Sequence, residues 1–156
     1  MPASKGFTLI ELMVVIAILG ILSAIGMVTY QAVNRNSRDA KRQADLKIIQ
    51  SALEQYHADQ FFYPLSISFG SSNSITNCTG NPVSPCAVSK TYLNQVPSES
   101  SGTPQYNYVS SPSGCTNAAA GPKCTGYCMY SNFEGPNPPG TSCPLVSGML
   151  LEVMPP

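Results

Sequence analysis

Residues 7–28 read FTLIELMVVIAILGILSAIGMV, and this stretch decides the fold. It contains 22 residues and one charge, Glu11. At about 1.5 Å per residue, a helix of that length crosses the roughly 30 Å hydrocarbon core of a bilayer. A secretory signal peptide is the competing reading, but its apolar part runs to only about 7–15 residues and ends in a small-x-small site. Here the run is longer, and Leu22 stands where a cut after Ala24 requires a small residue. The stretch is therefore expected to be a transmembrane helix.

Working outward, all six cysteines (Cys78, Cys86, Cys115, Cys124, Cys128 and Cys143) lie beyond the anchor, in a segment rich in Ser, Asn, Gly and Pro. An even count in a loop-rich region reads as disulfides in an oxidising compartment. Six cysteines allow 15 pairings; the expectation is sequential neighbours, Cys78–Cys86, Cys115–Cys124 and Cys128–Cys143. A zinc site is disfavoured, because Cys124 and Cys128 lack a matching second pair and the one histidine, His57, is distant in sequence. Two signals conflict on orientation. Arg35, Arg38, Lys41 and Arg42 follow the anchor while only Lys5 precedes it, which by the positive-inside tendency puts the C-terminal side in the cytoplasm. The cysteines require the opposite. The expectation follows them: a single pass, with the C-terminal domain on the non-cytoplasmic side.

The 156 residues carry no formal net charge, and only 10% are charged, so no basic face for nucleic acid is implied. The chain has no nucleophile elbow, no phosphate-cradling Gly loop, no metal set and no C-x-x-C pair. It is expected to be no enzyme and to need no cofactor.

No proline occurs from Ala3 to Tyr63, and helix formers dominate Arg38 to Gln60. Leu46, Ile49, Leu53 and Tyr56, with Ala52 alongside, follow the spacing of one apolar stripe. The charges Arg38, Asp39, Lys41, Arg42, Asp45 and Lys47 fall mainly on other faces and read as a solvated face or as contacts with other subunits. One helix from Phe7 to about Gln60 would be roughly 80 Å long, with residues 7–28 in the membrane and 29–60 as a soluble amphipathic half. Phe61-Phe62-Tyr63-Pro64 ends it. Residues 61–105 form a disulfide-stapled loop region, in which Ser66 to Ser89 reads as polar loop. Asn77-Cys78-Thr79 fits the glycosylation triplet, a pattern that often arises by chance. Tyr106 to Ser110, Tyr127 to Phe133 and Leu145 to Val153 read as strands. The expected fold class is α+β: a long N-terminal helix packed on a small antiparallel sheet within residues 106–156.

Glu11 is the unusual residue. A carboxylate in the bilayer costs about 2.5–3.5 kcal/mol on insertion scales at the helix centre. Either it snorkels to the headgroups, or a partner neutralises it inside an assembly. The run Lys5-Gly6-Phe7-Thr8-Leu9-Ile10-Glu11 and its apolar continuation to Leu22 resemble the N-terminal signature of type IV pilins and type II secretion pseudopilins. The resemblance implies a leader, residues 1–6, cut between Gly6 and Phe7 by a membrane-embedded prepilin peptidase that also N-methylates Phe7. It gives Glu11 an assembly role, pairing with the new amino group of a neighbouring subunit. Many members carry a proline where this chain has Val28, so any local opening of the anchor helix is expected at Gly20 to Gly26. Tyr63-Pro64, Tyr92-Leu93, Val96-Pro97, Gly102 and Tyr106-Asn107-Tyr108 are similar to the major pseudopilin of type II secretion. The calcium loop of that family needs clustered carboxylates; residues 134–144 hold Glu134 and no Asp, so no metal is expected. The implied function is a structural subunit of a pilus-like filament, most similar to a major pseudopilin, with the surface type IV pilin as the alternative. The implied partners are copies of itself, minor pseudopilins or pilins, the prepilin peptidase and an inner-membrane assembly platform.

Overall fold

The computed structural model describes residues 6–80, 85–99, 106–132, 134, 150–153 and 155. The chain divides into two compact units, residues 1–38 and 39–156. Helix α1 runs Leu9–Gln60 without a break, including across Gly20 to Gly26. A reciprocal capping box starts it: the Thr8 backbone N–H donates to Glu11 Oε2 at 2.9 Å, and the Glu11 N–H donates to Thr8 Oγ1 at 3.3 Å. Thr29 donates its hydroxyl back to the carbonyls of Ile25 and Gly26, so it adds no unsatisfied group. In the first unit the described large apolar side chains from Phe7 to Val33 are exposed. This part of α1 is long and apolar enough to cross a membrane.

At the C-terminal end of α1, Phe61 takes the left-handed conformation (φ 63°) and its N–H donates to the His57 carbonyl at 2.8 Å. That caps the helix, at roughly 1–2 kcal/mol for a residue with a Cβ. Pro64 then prevents resumption.

The second unit is built on the stripe read from the sequence. Leu46, Ile49, Leu53 and Tyr56 are fully buried, and Ala52 nearly so. Against them pack Tyr63, Ile75, Val96, Tyr106, Cys115, Cys124, Tyr127 and Met129. Strand β1 (Ile75–Thr76) pairs antiparallel with β2 (Thr91–Leu93). Strands β3 (Asn107–Ser111), β4 (Gly126–Asn132) and β5 (Leu150–Val153) form a three-stranded antiparallel sheet in the order β3-β4-β5. Val109 opposes Cys128, and Ser131 opposes Leu151. The protein is therefore α+β and pilin-like, with one long helix and small antiparallel sheets.

Three sequence readings need correction. The stretch 66–89 contains β1, and with β2 it makes a sheet inside the presumed loop region. Asn77 aligns this pair: its Oδ1 accepts the Ser89 and Lys90 N–H groups, and its Nδ2 donates to the Ala87 carbonyl. Second, the strand read from Tyr106 starts at Asn107 and runs to Ser111; Tyr106 is buried just ahead of it. Third, the charges of α1 do not all face solvent, because Asp39 and Arg42 are buried. The ends of the last two expected strands, Phe133 and residues 145–149, lie outside the described residues.

Candidate functional site

Two sets of residues carry the chemistry, one in each unit. In the first unit, Phe7 is 83% exposed and Gly6 beside it is exposed, so the Gly6–Phe7 bond is sterically open. Residues 1–5 lie outside the described residues. The Glu11 carboxylate accepts two hydrogen bonds through Oε2, from the Thr8 N–H at 2.9 Å and from the Thr8 hydroxyl at 2.8 Å. In the single chain it serves its own helix start, one turn from Phe7. Inside a bilayer the relevant quantity is the number of hydrogen bonds that offset desolvation. Leu9, Ile10, Leu12, Met13, Val14 and Val15 surround it, all exposed.

In the second unit, Arg42 is 1% exposed and holds three carboxylates, two of them from distant parts of the chain. Its Nε donates to Glu99 Oε2 at 2.8 Å, its Nη1 to Asp39 Oδ1 at 2.5 Å, and its Nη2 to Glu134 Oε1 at 2.7 Å. Burial alone would favour the neutral guanidine. The hydrogen bonds to Glu99, Glu134 and Asp39 outweigh it and raise the pKa, so Arg42 stays charged. The Glu134 N–H also donates to Asp39 Oδ1 at 3.2 Å. This cluster ties the segments around 99 and 134 to α1. No sequence pattern pointed to it, since its members are separated by 57 and 92 positions.

A second set of ties uses phenols. Glu54 accepts from Tyr63 at 2.9 Å and from Tyr127 at 3.0 Å, and Asp45 accepts from Tyr106 at 2.7 Å. The Tyr108 hydroxyl donates to the Pro64 carbonyl at 2.6 Å. Burial pushes the Tyr56 phenol up to about 12. Burial followed by the nearby carboxylate pushes Tyr63, Tyr106 and Tyr127 higher still. Tyr63 also stacks on His57 and meets Tyr127 edge-on, so the one histidine is a packing residue of the second unit.

Disulfides join Cys78 to Cys86 and Cys115 to Cys124. Cys128 is disulfide-bonded too, and Cys143 lies outside the described residues. Buried Asn117 closes the second loop onto the helix exit: its Nδ2 donates to the Tyr63 carbonyl at 2.8 Å, and its Oδ1 accepts the Cys124 N–H at 2.8 Å. Such an Asn is invisible to pattern reading, although its own left-handed backbone (φ 54°) is one that Asn favours.

Comparison with known proteins fits this arrangement. Residues 1–27 match the model of the prokaryotic N-terminal methylation motif. The type II secretion system core protein G of Pseudomonas aeruginosa is 36% identical over 105 residues, covering 67% of this chain and 72% of that protein. The core protein G of Pectobacterium carotovorum subsp. carotovorum is 31% identical over 99 residues, covering 64% of this chain and 63% of the relative. The type IV major pilin protein PilA of Myxococcus xanthus is 36% identical over 62 residues, covering 40% of this chain and only 28% of PilA. No solved structure matches. The pilin matches are short, whereas the 105 residues shared with core protein G exceed the 27 of the anchor motif almost fourfold, and on that extent the chain belongs to the family of the type II secretion system core protein G, membrane-anchored, filament-forming subunits with an N-terminal methylation motif.

Proposed function

We propose that this chain is the major pseudopilin of a type II protein secretion system, a structural subunit with no catalytic role of its own. The observation that carries the reading is the 36% identity over 72% of the length of core protein G. The prepilin peptidase cuts between Gly6 and Phe7 and methylates the new amino terminus. The subunit then waits in the cytoplasmic membrane, crossing it once, with its disulfide-bearing unit on the non-cytoplasmic side. An inner-membrane assembly platform adds it to a helical polymer of identical copies, capped by minor pseudopilins. Charge pairing supports the assembly step. Two charges in low dielectric are costly alone and much less so paired. Glu11 of an incoming subunit therefore gains by exchanging its Thr8 hydrogen bonds for the methylated ammonium of a neighbour's Phe7, and that exchange also fixes axial register.

Intact mass and N-terminal fragmentation of the membrane-extracted protein test the reading, with and without the peptidase. A chain that begins at methylated Phe7 only in the peptidase's presence is expected; an intact Met1 or a cut near Ala24 refutes it. Glu11→Ala is expected to be cleaved normally yet to yield few filaments, and normal filament yield removes the assembly role. The match to the Myxococcus PilA pilin supports a second reading, a surface pilus subunit. Filaments confined to the envelope favour the first reading, and fibres on the cell surface the second.

A further inference from the structure

We propose that Arg35, on the polar stripe Gln31–Asn34–Arg35–Arg38, binds the phosphate of an anionic phospholipid in the leaflet at the C-terminal end of the anchor. Such binding needs only the membrane anchor, and it stands whether the chain serves secretion or a surface pilus. The whole stripe belongs to the first unit. In an unbroken helix, positions 31, 34, 35 and 38 are spaced i, i+3, i+4 and i+7 and share one face about 100° wide. The chemistry of the helix changes at the end of the apolar run. Residues 7–28 hold one charge, Glu11, whereas the stripe presents two amides and two guanidinium groups.

Arg35 has no counter-charge of its own among the described residues. It is exposed and makes no hydrogen bond or ion pair with a described residue. No Asp or Glu occurs from Leu12 to Arg38. The next carboxylate along the chain, Asp39, is buried and accepts from Arg42 at 2.5 Å. The contrast with Arg42, buried and holding three carboxylates, is one of chemistry: Arg35 must find its anion outside the chain.

Height decides which anion that is. Position 35 lies about 10 Å along the axis from residue 28, the end of the apolar run. Long side chains on a helix lean over the preceding turn, which returns the guanidinium by about 5 Å. The headgroup layer on each side of the hydrocarbon is about 5–7 Å thick. The guanidinium therefore reaches the depth of the lipid phosphates, and tilt of the anchor only shortens its height. Tyr30 marks the same boundary. It is 68% exposed and about 3 Å past the run, at the level where aromatic belts of membrane proteins sit. A guanidinium takes phosphate through two parallel N–H donors, and Gln31 and Asn34 add amide donors within one turn. A zwitterionic lipid carries its own cation next to the phosphate, so the stripe selects lipids with a net negative charge.

The test uses the full-length chain in bilayers of equal parts phosphatidylglycerol and phosphatidylcholine. The chain has no tryptophan, so Tyr30→Trp supplies a single fluorophore beside the stripe. Bromine on the acyl chains of one lipid or the other quenches it in proportion to how often that lipid is adjacent. Brominated phosphatidylglycerol is expected to quench more strongly. Adding Arg35→Gln is expected to lower the preference about fivefold, the worth of one basic residue near an anionic surface. Arg35→Lys is expected to keep most of it, and Lys47→Gln, which removes the same charge from the second unit, to leave it unchanged. No preference in the parent, or an equal loss in Lys47→Gln, overturns the proposal, the latter because it shows an effect of total charge and not a site. Loss of the preference on adding glycerol phosphate at constant ionic strength overturns it in favour of a soluble phosphate. If Arg35→Gln lowers filament yield while the lipid preference stays, the guanidinium serves a neighbouring copy and the proposal falls. Processing at Phe7 and filament yield are read separately, so failure of lipid binding leaves the proposed function standing.

Discussion

Replacing Arg42 by methionine keeps most of the side-chain volume and deletes the cation at the centre of the buried cluster. Asp39 and Glu99, whose side chains are only 6% and 12% exposed, then lose their counter-charge. Glu134 is 31% exposed and can turn to water, so its loss is screened and adds little. Removing one partner of a buried ion pair typically costs 3–5 kcal/mol, because the remaining charge is left uncompensated. Counting Asp39 and Glu99 as one coupled site and discounting Glu134 gives about 3–4 kcal/mol. In a unit of little more than 100 residues, 1 kcal/mol moves the melting temperature by about 4 °C, so Arg42→Met is expected to melt roughly 12–16 °C below the wild type. The assay is circular-dichroism melting of the full-length chain in detergent, with exposed Lys47→Met as the control expected to stay within about 0.5 kcal/mol. Adding Asp39→Asn and Glu99→Gln to Arg42→Met should restore part of the loss, since it removes the orphaned charges. If Arg42→Met melts within about 3 °C of the wild type, the cluster does not hold the segments at 99 and 134 to the helix.

Two further perturbations bear on the second unit. Gly80 has φ 59°, and an added Cβ would sit 2.5 Å from the Leu65 nitrogen and 2.9 Å from both backbone polar atoms of Ser66; Gly80→Ala is expected to destabilise by more than about 2 kcal/mol, read from the same melts. Alkaline titration probes the buried phenols. Tyr56, Tyr63, Tyr106 and Tyr127 have folded pKa values raised above the ordinary 10, so the folded state keeps protons that the unfolded state releases. Stability is therefore intact below pH 10 and falls as pH rises beyond it, by about 1.4 kcal/mol per such tyrosine per pH unit. Phenolate absorbance is expected to rise in one cooperative step together with loss of helix signal. A gradual rise near pH 10 for all eight tyrosines of the chain, with structure intact, would show the phenols to be accessible.

How much of this was legible beforehand depends on the range of the interaction. The anchor, the stripe Leu46–Ile49–Leu53–Tyr56 and the Pro64 stop follow from local periodicity and proline geometry, and α1 has the expected end. The strands of the larger sheet were visible as β-rich runs between turn residues. Sheet β1–β2 was not, because two- and three-residue strands have no period to read and are aligned by Asn77, a polar residue counted as loop. The Arg42 cluster was misread as surface for a related reason. At the level of α1 alone, Asp39 and Arg42 are an ordinary i,i+3 pair, and only Glu99 and Glu134 arriving from elsewhere turn them inward. The residues proposed for processing and assembly stand apart from all of this. Gly6, Phe7 and Glu11, proposed for cleavage, methylation and assembly, came from resemblance of a contiguous motif.

The two described disulfides link residues only 8 and 9 positions apart, while the non-covalent ties back to α1 span far more: 61 from Tyr106 to Asp45, 73 from Tyr127 to Glu54, and 92 from Arg42 to Glu134. These two bonds harden local loops and do not set the chain's global path. In an oxidising environment Cys78 meets Cys86, and Cys115 meets Cys124, with little loop-closure cost, before the distant ties exist. Oxidation can thus run ahead of folding with little risk of scrambling at these four cysteines. The slow step falls to closure of the long-range contacts, which by their sequence separation form late. A subunit made in bulk for a polymer gains from that division of labour, because correctly oxidised chains accumulate first and each completes its fold without having to break a sulfur–sulfur bond.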